Sequence, residues 1–377
     1  MRGHIRRRGQ KWAVVVDVSP DESGRRRQRW HSGYDTRRAA QKELAEILGR
    51  LQDGAYVEPH KVTIASFMRE WLEARRAQLR PSTWHGYRKN LEAHVVPHLG
   101  SVPIQQLTPQ RLNGFYAGLL NDGRRDGKGG LSARSVGHVH RMLHRALRDA
   151  VRWRQLPNNP ADHADPPRPA EREMKTWTAA ELRGFLDYVR DERLYALWLL
   201  SASTGLRRGE VLGLRWRDLD LDAGRVAITQ TLLDVGNELS VGSPKTAKGR
   251  RLVALDRATV AVLRKHRAGQ LEERLAFGQS YNELGLVFCQ EDGAPVRPAW
   301  LTRAFSQRVA KAELPAIPLH GLRHTHATLA LAAGVHPKVV SERLGHASVS
   351  ITLDTYSHAV PALEEEAAEK VAALVFG

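Results

Sequence analysis

The sequence contains one cysteine and no long apolar run. Cys289 cannot form an internal disulfide and lacks the neighbours of a zinc finger. No stretch of about 18 apolar residues is present, which argues against a membrane-spanning helix. The basic N-terminus is not followed by the apolar run of a secretory signal. We therefore expect a soluble protein that works inside the cell without disulfides.

Acidic residues are scarce relative to basic ones. The 377 residues include 58 Lys and Arg against 41 Asp and Glu, a formal charge of +17. Residues 1–58 carry +5, residues 59–170 carry +10 and residues 171–377 carry +2. Folding does not require such an uneven distribution of charge. Binding to a polyphosphate chain favours it, because each phosphate that a basic side chain neutralises releases condensed counterions and so raises the affinity. The charge indicates DNA or RNA as a partner, although an Arg-rich but otherwise ordinary protein would share it.

Changes in residue pattern divide the chain into regions. A β-branched run at Trp12–Val18, followed by a helix that Thr36 caps, predicts a small sheet of two or three strands with one helix. The next region is helical and predicts one compact bundle. Five prolines between Pro157 and Pro169 indicate a linker. The predicted regions are 1–58, 59–160, a linker at 161–171, and 172–377, where helices mix with short strands.

The last region contains cationic and polar side chains that suit a phosphodiester. Arg207 lies in TGLRRGE, three residues before Glu210, and His320 lies in HGLRH, three residues before Arg323. Residues three apart share a helix face, and a guanidinium offers a planar fork to phosphate oxygens. Two arginines without matching acidic residues nearby suggest an oxyanion clamp. Further candidates are Lys245 in PKT, His346 in LGH and Tyr356 in LDTY.

A metal site is the chemical alternative. His320 and His324 are four residues apart and could share a zinc ion, with His326 nearby, but no HExxH motif or third ligand accompanies them. A two-metal nuclease needs several carboxylates, and these are scarce between Leu314 and Ser341. We favour chemistry without a metal and interpret His324 and His326 as packing or helix-surface residues.

Taken in order, these motifs resemble the catalytic domain of the tyrosine recombinase, or phage integrase, family. The series is TGLRRGE (204–210), PKT (244–246), HGLRHTHAT (320–328) and LGHASVSITLDTY (344–356). It matches all six family active-site positions in order and spacing. The resemblance implies a multidomain, mainly α fold with small β-sheets and a mixed α+β catalytic domain at 172–377. By position and pattern, 59–160 is similar to the family's helical core-site-binding domain and 1–58 to its sheet-plus-helix arm-binding module.

The resemblance also implies a role for each candidate. The catalytic set would be Arg207, Lys245, His320, Arg323, His346 and Tyr356. Tyr356 would attack the scissile phosphate to form a 3′-phosphotyrosyl bond, Lys245 would protonate the leaving 5′-oxygen, and His320 would accept a proton. The two arginines and His346 would hold the phosphate, supported by Glu210. Because the bond energy is kept in the protein–DNA link, neither a metal ion nor ATP is expected as a cofactor.

The family further implies the partners and setting. These are double-stranded DNA attachment sites, a homotetramer on synapsed DNA, accessory bending or directionality factors, and the bacterial cytoplasm at the nucleoid, with no membrane. The final amphipathic helix, Pro361 to Phe376, would pack on a neighbouring subunit or on its own domain. Two alternatives are a type IB topoisomerase, which relaxes DNA without a defined site, and a non-catalytic helix-turn-helix regulator.

Basic residues before the linker are the candidate DNA contacts. Arginines cluster around the N-terminal sheet and along one side of the helix that begins near Ser132. A charge run is often only a solvated face, but arginines along a strand also fit a ribbon that enters a DNA groove. The candidates are Arg6, Arg7, Arg8, Arg25, Arg27, Arg141 and Arg145.

Overall fold

The computed structural model describes residues 3–18, 23–53, 56–170, 174–243, 249–356 and 371–376. The chain forms two compact units that divide between residues 171 and 172, and each unit has its own apolar core. The expected mainly helical architecture with small sheets is confirmed.

The first unit begins with a three-stranded sheet. Its strands are β1 (Gly3–Arg8), β2 (Lys11–Val18) and β3 (Arg27–Tyr34), antiparallel in the order β1-β2-β3. Alternate residues of β2, among them Val14 and Val16, pack against helix α1 (Arg37–Gln52) because successive side chains of a strand point to opposite faces. Thr36 caps α1, as predicted, by accepting the N–H of Ala39 at 3.1 Å.

A helical bundle follows in the same unit. Its helices are α2 (Ile64–Ala74), α3 (Pro81–Asn90), α4 (Val96–Leu99), α5 (Pro109–Asp122) and α6 (Ala133–Arg152). A π-helical turn at Leu91–Val95 joins α3 to α4. The indole N–H of Trp71 donates to the buried carboxylate of Asp149 at 2.8 Å, which also pairs with Arg75 at 2.8 Å. This buried network ties α2 to α6.

The second unit mixes helices with two small sheets. Its helices are α7 (Ala179–Tyr188), α8 (Tyr195–Thr204), α9 (Arg208–Leu212), α10 (Arg257–Phe277), α11 (Pro298–Lys311), α12 (Gly321–Ala332), α13 (Pro337–Leu344) and α14 (Val349–Tyr356). Strands β4 (Leu219–Asp220), β5 (Arg225–Ile228) and β8 (Arg251–Ala254) form one antiparallel sheet, and β6 (Thr231–Val235) and β7 (Glu238–Gly242) form a hairpin. Residues 371–376 are helical, while positions 361–370 of the predicted final helix lie outside the described residues.

Aromatic rings form the centre of the second unit. Trp177, Phe185, Trp198 and Phe305 are all buried, and their ring centroids lie 5.3 to 6.0 Å apart in the contacting pairs. Trp177 also donates its backbone N–H to Thr325 Oγ1 at 3.0 Å. The start of the unit is therefore anchored directly to α12, the helix that carries the HGLRH motif.

Candidate active site

Two left-handed turns bring the predicted residues together. Gly205 ends α8 with φ +64°, and Gly345 ends α13 with φ +68°. Glycine adopts this conformation without the steric cost that a Cβ imposes, so each helix can end abruptly and the chain can reverse. Arg207 follows the first turn and His346 follows the second.

Arg323 joins these two turns. Its side chain is buried, with Nη1 donating to the carbonyl of Gly205 at 2.9 Å and Nη2 to the carbonyl of Leu344 at 2.8 Å. Burial, followed by the nearby charge of Arg207, lowers the pKa of Arg323 to about 9. The guanidinium is still cationic at neutral pH, and these two carbonyl partners leave its charge uncompensated.

Glu210 organises the other two arginines of the site. Its buried carboxylate accepts a hydrogen bond from Nη1 of Arg207 at 2.8 Å and one from Nη2 of Arg251 at 2.9 Å. It also accepts the backbone N–H of Arg207 at 3.0 Å. Burial raises the pKa of Glu210, but the hydrogen bonds and charges of the two arginines outweigh that effect and hold the pKa below its usual value.

The described cluster contains one acidic residue, Glu210, which the resemblance had assigned to support the arginine side chains. Glu210 lies within the cluster and pairs with Arg207. The described part of the cluster nevertheless holds three guanidinium groups, those of Arg207, Arg251 and Arg323, for this one carboxylate. The net charge is positive, as the binding of a phosphate requires. Arg251 was missed by sequence reasoning, although its place in a predicted strand a few residues after PKT was a usable signal.

Tyr356 and His346 lie on one side of this cluster. The side chain of Tyr356 is buried, and its ring stacks nearly parallel to that of His346, with centroids 6.5 Å apart and planes at 11°. His346 Nδ1 lies 2.8 Å from Thr352 Oγ1 on α14. Burial raises the pKa of Tyr356, while the charges of Arg323 and Arg207 oppose that rise. Burial, then Arg323 and Arg207, lower the pKa of His346 to about 4.

His324 packs against the ring of Tyr356, with centroids 5.7 Å apart, and also makes a polar contact that its interpretation as a packing residue did not include. Its Nδ1 lies 2.8 Å from the hydroxyl of Tyr356. The reason is that α14 packs so that its last residue faces the first turn of α12, a contact between positions 32 residues apart. His326 does pack inside the unit, with Nδ1 3.1 Å from the carbonyl of Ala202 and Nε2 accepting the Nε–H of Arg343 at 3.3 Å.

His320 stands at the start of α12 beside His324. The two ring centroids are 4.8 Å apart and the planes meet at 86°. Desolvation by the surrounding protein, then the charges of Arg323 and Arg207, lower the pKa of His320. His320 thus adjoins the arginine cluster and reaches Tyr356 by way of His324. Lys245, the remaining predicted catalytic residue, lies outside the described residues.

The predicted DNA-contacting arginines of the sheet do not share one face. In β1, Arg7 pairs with Trp12, whose ring packs on the side of α1, so Arg6 and Arg8 point to the opposite side. We call this opposite side the outer face; Arg6 there lies over the ring of Trp30, 5.8 Å from its centroid. Arg27 instead pairs with Glu58 at 3.0 Å. The arginines that cluster around the sheet in the sequence are therefore divided between its two faces.

The two candidate arginines of the bundle lie on α6. Arg141 is exposed and Arg145 is half-buried, four residues apart on the side of the helix away from the buried Val139 and Leu143. Arg141 Nη2 donates to Nδ1 of His138 at 2.8 Å. Arg25, the last of the candidates, is exposed beside β3.

The described residues contain no group of three or more His, Cys, Asp or Glu side chains arranged to hold a metal ion. His324, one of the two histidines considered for zinc, places Nδ1 2.8 Å from the hydroxyl of Tyr356. Within the same residues, no helix combines the length and apolar character needed to cross a bilayer.

Three family models match successive parts of the chain. Residues 175–362 match the phage integrase family, residues 63–120 match the phage integrase N-terminal SAM-like domain, and residues 4–51 match an Arm DNA-binding domain. The chain belongs to the phage integrase family of tyrosine recombinases. Several relatives of this integrase-family chain match most of its length. A protein named tyrosine recombinase XerC-like, from Caldanaerobacter subterraneus subsp. tengcongensis, is 28% identical over 95% of each chain.

Other relatives and solved structures carry integrase names. The ICEBs1 integrase of Bacillus subtilis is 25% identical over 89% of this chain and 90% of its own. The Tn1549 transposon integrase, solved with transposon right end DNA, has a TM-score of 0.68 at 21% identity, covering 81% of this chain and 98% of that one. A lambda integrase tetramer bound to a Holliday junction has a TM-score of 0.56 at 16% identity, covering 94% of each chain. These likenesses establish the integrase fold.

Proposed function

We propose that the protein is a site-specific DNA recombinase that breaks and rejoins DNA strands through Tyr356, and so integrates or excises a mobile element or phage genome. The observation that carries this proposal is the meeting of Arg207, Arg323, His346 and Tyr356 at one positively charged site. A phenol is a weak nucleophile at neutral pH, so it needs a base and a stabilised phosphate to react.

Each proposed step balances its bonds and protons. The phenolic oxygen of Tyr356 attacks the phosphorus, its proton passes to the histidine side of the site, and the bond from phosphorus to the 5′-oxygen breaks. Arg207 and Arg323 stabilise the charge on the non-bridging oxygens in the transition state, a task that metal ions perform in other phosphoryl transfers. His346 donates a further hydrogen bond to the phosphate. Lys245 is proposed to protonate the leaving 5′-oxygen as general acid.

Rejoining is the reverse reaction with a new strand. A 5′-hydroxyl attacks the 3′-phosphotyrosyl bond and releases Tyr356, so the energy of the phosphodiester is kept throughout. This scheme needs neither ATP nor a metal ion. The cationic cluster of Arg207, Arg251 and Arg323 supports it, because it supplies positive charge where a metal would otherwise stand.

We propose three modules that bind double-stranded DNA attachment sites. Residues 1–58 form the arm-type module, 59–160 the core-site module and 172–377 the catalytic module, with the linker at 161–171. Residues 1–58 carry a charge of +5, residues 59–170 carry +10 and residues 171–377 carry +2. These charges support a division of labour in which the first two modules bind the DNA and the third cleaves it. Four protomers on two synapsed duplexes, with accessory bending or directionality factors, complete the assembly; the tetrameric lambda integrase supports that stoichiometry.

The test is covalent trapping by Tyr356. Nicked suicide duplexes that tile the DNA on both sides of the gene are incubated with the protein, and protein-linked DNA is recovered in denaturing detergent. We expect Tyr356→Phe to bind the recovered duplex as the wild type does and to form no covalent complex. The matched control is Tyr188→Phe, a tyrosine that is 46% exposed on α7, which should form the complex normally.

The other outcomes separate the alternatives. An undiminished covalent yield from Tyr356→Phe would exclude Tyr356 as the nucleophile. Relaxation of a supercoiled plasmid that lacks the recovered sequence would favour a type IB topoisomerase. Specific binding without a covalent complex from the wild type would favour a regulator.

A further inference from the structure

The hydroxyl of Tyr356 is held by a residue outside the predicted catalytic set. Tyr356 Oη lies 2.8 Å from Nδ1 of His324. The tyrosine ring itself packs in an apolar cluster with Ala327, Val340 and Leu344, and the residue is 1% exposed. The nucleophile is therefore fixed at both ends, its ring by apolar contacts and its oxygen by one imidazole.

His324 is fixed in turn by its neighbours on α12. Arg323, the residue before it, is bound to the carbonyls of two turns. Thr325, the residue after it, is buried and accepts the backbone N–H of Trp177 at 3.0 Å. Because α12 cannot rotate without breaking these contacts, the fold sets the direction in which the His324 ring points. Such preorganisation is what a proton transfer to a reacting atom requires.

Two other imidazoles lie close by but meet the hydroxyl less directly. His320 contacts His324 edge to face, with ring centroids 4.8 Å apart. His346 stacks on the Tyr356 ring, and its Nδ1 is engaged by Thr352 at 2.8 Å. The hydrogen bond of the nucleophilic oxygen goes to His324.

We propose that His324 is a catalytic residue of this recombinase, the group that accepts the phenolic proton of Tyr356 during attack on the DNA phosphate. The inference rests on the function proposed above and moves this role from His320 to the next turn of α12. His320, beside the arginine cluster, is left to contact the phosphate or to share the proton with His324.

The proton balance is complete within the site. Neutral His324 carries its proton on Nε2 and accepts the Tyr356 proton at Nδ1, becoming an imidazolium as the bond from Oη to phosphorus forms. The bond from phosphorus to the 5′-oxygen breaks, and that oxygen takes its proton from the general acid. In rejoining, the imidazolium returns its proton to the departing tyrosine oxygen.

The groups around His324 keep its ring neutral before the attack, as this transfer of a proton requires. Burial, then His320, Arg323 and His346, lower the pKa of His324 to about 4, so the ring is neutral and able to accept a proton at neutral pH. The facing groups on the packed elements are these three and the Tyr356 hydroxyl. A bound phosphate adds negative charge beside Arg323, which offsets part of this depression and makes His324 a stronger base at the moment of attack.

The first experiment compares variants at two histidines of α12. His324→Asn keeps a hydrogen-bonding atom near the position of Nδ1 but cannot store a proton, and His326→Asn is the matched control, since His326 faces Ala202 instead of the tyrosine. Single-turnover cleavage of the recovered nicked duplex should slow by about 100- to 10,000-fold in His324→Asn. The DNA affinity of His324→Asn should stay within twofold of the wild type, and its urea midpoint should equal that of the wild type within error. His326→Asn should cleave at the wild-type rate.

A modified substrate locates the defect on the nucleophile side. In a duplex with sulfur in place of the bridging 5′-oxygen, the leaving group is a thiol of pKa about 8.5 and no longer needs a general acid. We expect this duplex to restore cleavage by Lys245→Ala and not by His324→Asn. Restoration of His324→Asn would put His324 on the leaving-group side and overturn the proposal.

Two further results would also overturn it. A normal cleavage rate in His324→Asn would show that the contact only positions the tyrosine. If that variant does not fold, the wild type still decides, because its cleavage rate at saturating DNA should fall as pH decreases from about 6.5 to about 4, between the ordinary pKa of a histidine and the lowered pKa of His324. A profile that stays flat down to pH 4 contradicts a histidine base. Failure of the proposed function is distinct, since the wild type itself would then form no covalent complex.

Discussion

At the residue scale, the buried carboxylate of Glu210 fixes the positions of two arginine side chains in the cluster. It binds both Arg207 and Arg251, and its side chain is 4% exposed. Removing one partner of a buried ion pair leaves the other charges uncompensated, which is far more costly than losing a surface pair. The position of Arg207, which we propose acts in catalysis, and the stability of the fold therefore depend on the same carboxylate.

Glu210→Gln should destabilise the second unit at neutral pH by about 3–5 kcal/mol. The pKa of Glu210 is lowered in the folded state from its ordinary 4.5. Its stabilising effect is hence fully present above about pH 4.5 and is lost as pH falls through the lower folded pKa. The measurement is urea unfolding followed by hydrogen exchange in α9 and β8. A gap between wild type and variant that stays constant down to pH 3 would contradict this account.

Motifs predicted the candidate site residues and the local partner of Arg207, but not the contacts between residues far apart in the sequence. The spacing of Arg207 to Glu210 is local, so a contact between them could be expected from one turn of helix. The bond between His324 and Tyr356 depends on how α14 packs against α12. Nothing in HGLRHTHAT distinguishes His324 from His326 until that packing is known, because both are histidines near one helix end.

At the element scale, the left-handed turns decide where the site residues lie. A Cβ on Gly205 would come within 2.7 Å of Leu344 Cδ2 and 3.0 Å of His326 Cδ2. The end of α8 is thus packed directly against α12 and α13. Gly334, which follows α12 with φ +76°, offers a comparison because a Cβ there would meet no atom within 4 Å.

Gly205→Ala should therefore cost more than Gly334→Ala. Both substitutions force an L-residue into a left-handed conformation, at about 1–2 kcal/mol each. At Gly205, overpacking adds about 1–3 kcal/mol. Thermal unfolding of the full chain measures the difference, and Gly205→Ala should also slow covalent trapping because it displaces Arg207. Equal losses of stability in the two variants would refute the steric argument.

Helix caps could be predicted from the sequence more reliably than strand pairing. Thr36 caps a helix as expected, and Thr108 and Ser132 cap two further helices in the same way, because capping involves neighbours in the chain. The strand bounds of the β6 and β7 hairpin were not predicted. Its turn residues Gly236 and Asn237 both have positive φ, as a tight hairpin turn requires, so a local signal was present.

At the scale of the whole molecule, the +17 charge predicts DNA binding that weakens steeply with salt. The sequence predicted this excess but not which arginines can face DNA together. That property depends on strand alternation and on Glu58, which pairs with both Arg27 and Arg29. Such a pairing joins positions about thirty residues apart and has no local signature.

Arginines of the outer face should account for more of the salt dependence than their neighbours. Arg6→Gln and Arg8→Gln should each reduce the slope of log affinity against log salt by about 1. Arg7→Gln is the matched control, since Arg7 lies between them in β1 and points to the other side. Fluorescence anisotropy on arm-site duplexes at several salt concentrations measures the slopes. An equal effect of all three variants would show that the salt dependence of DNA binding does not depend on the face of the sheet to which an arginine points.

Arg323 connects these scales. The guanidinium that we propose holds the phosphate also donates hydrogen bonds to the carbonyls of Gly205 and Leu344, which lie 139 positions apart in the sequence. A partly folded chain, in which those carbonyls are separated, has no means of fixing Arg323. The capacity to cleave DNA therefore arises only when the fold is complete. A chain that is still folding, or has begun to unfold, should not cleave the DNA around it.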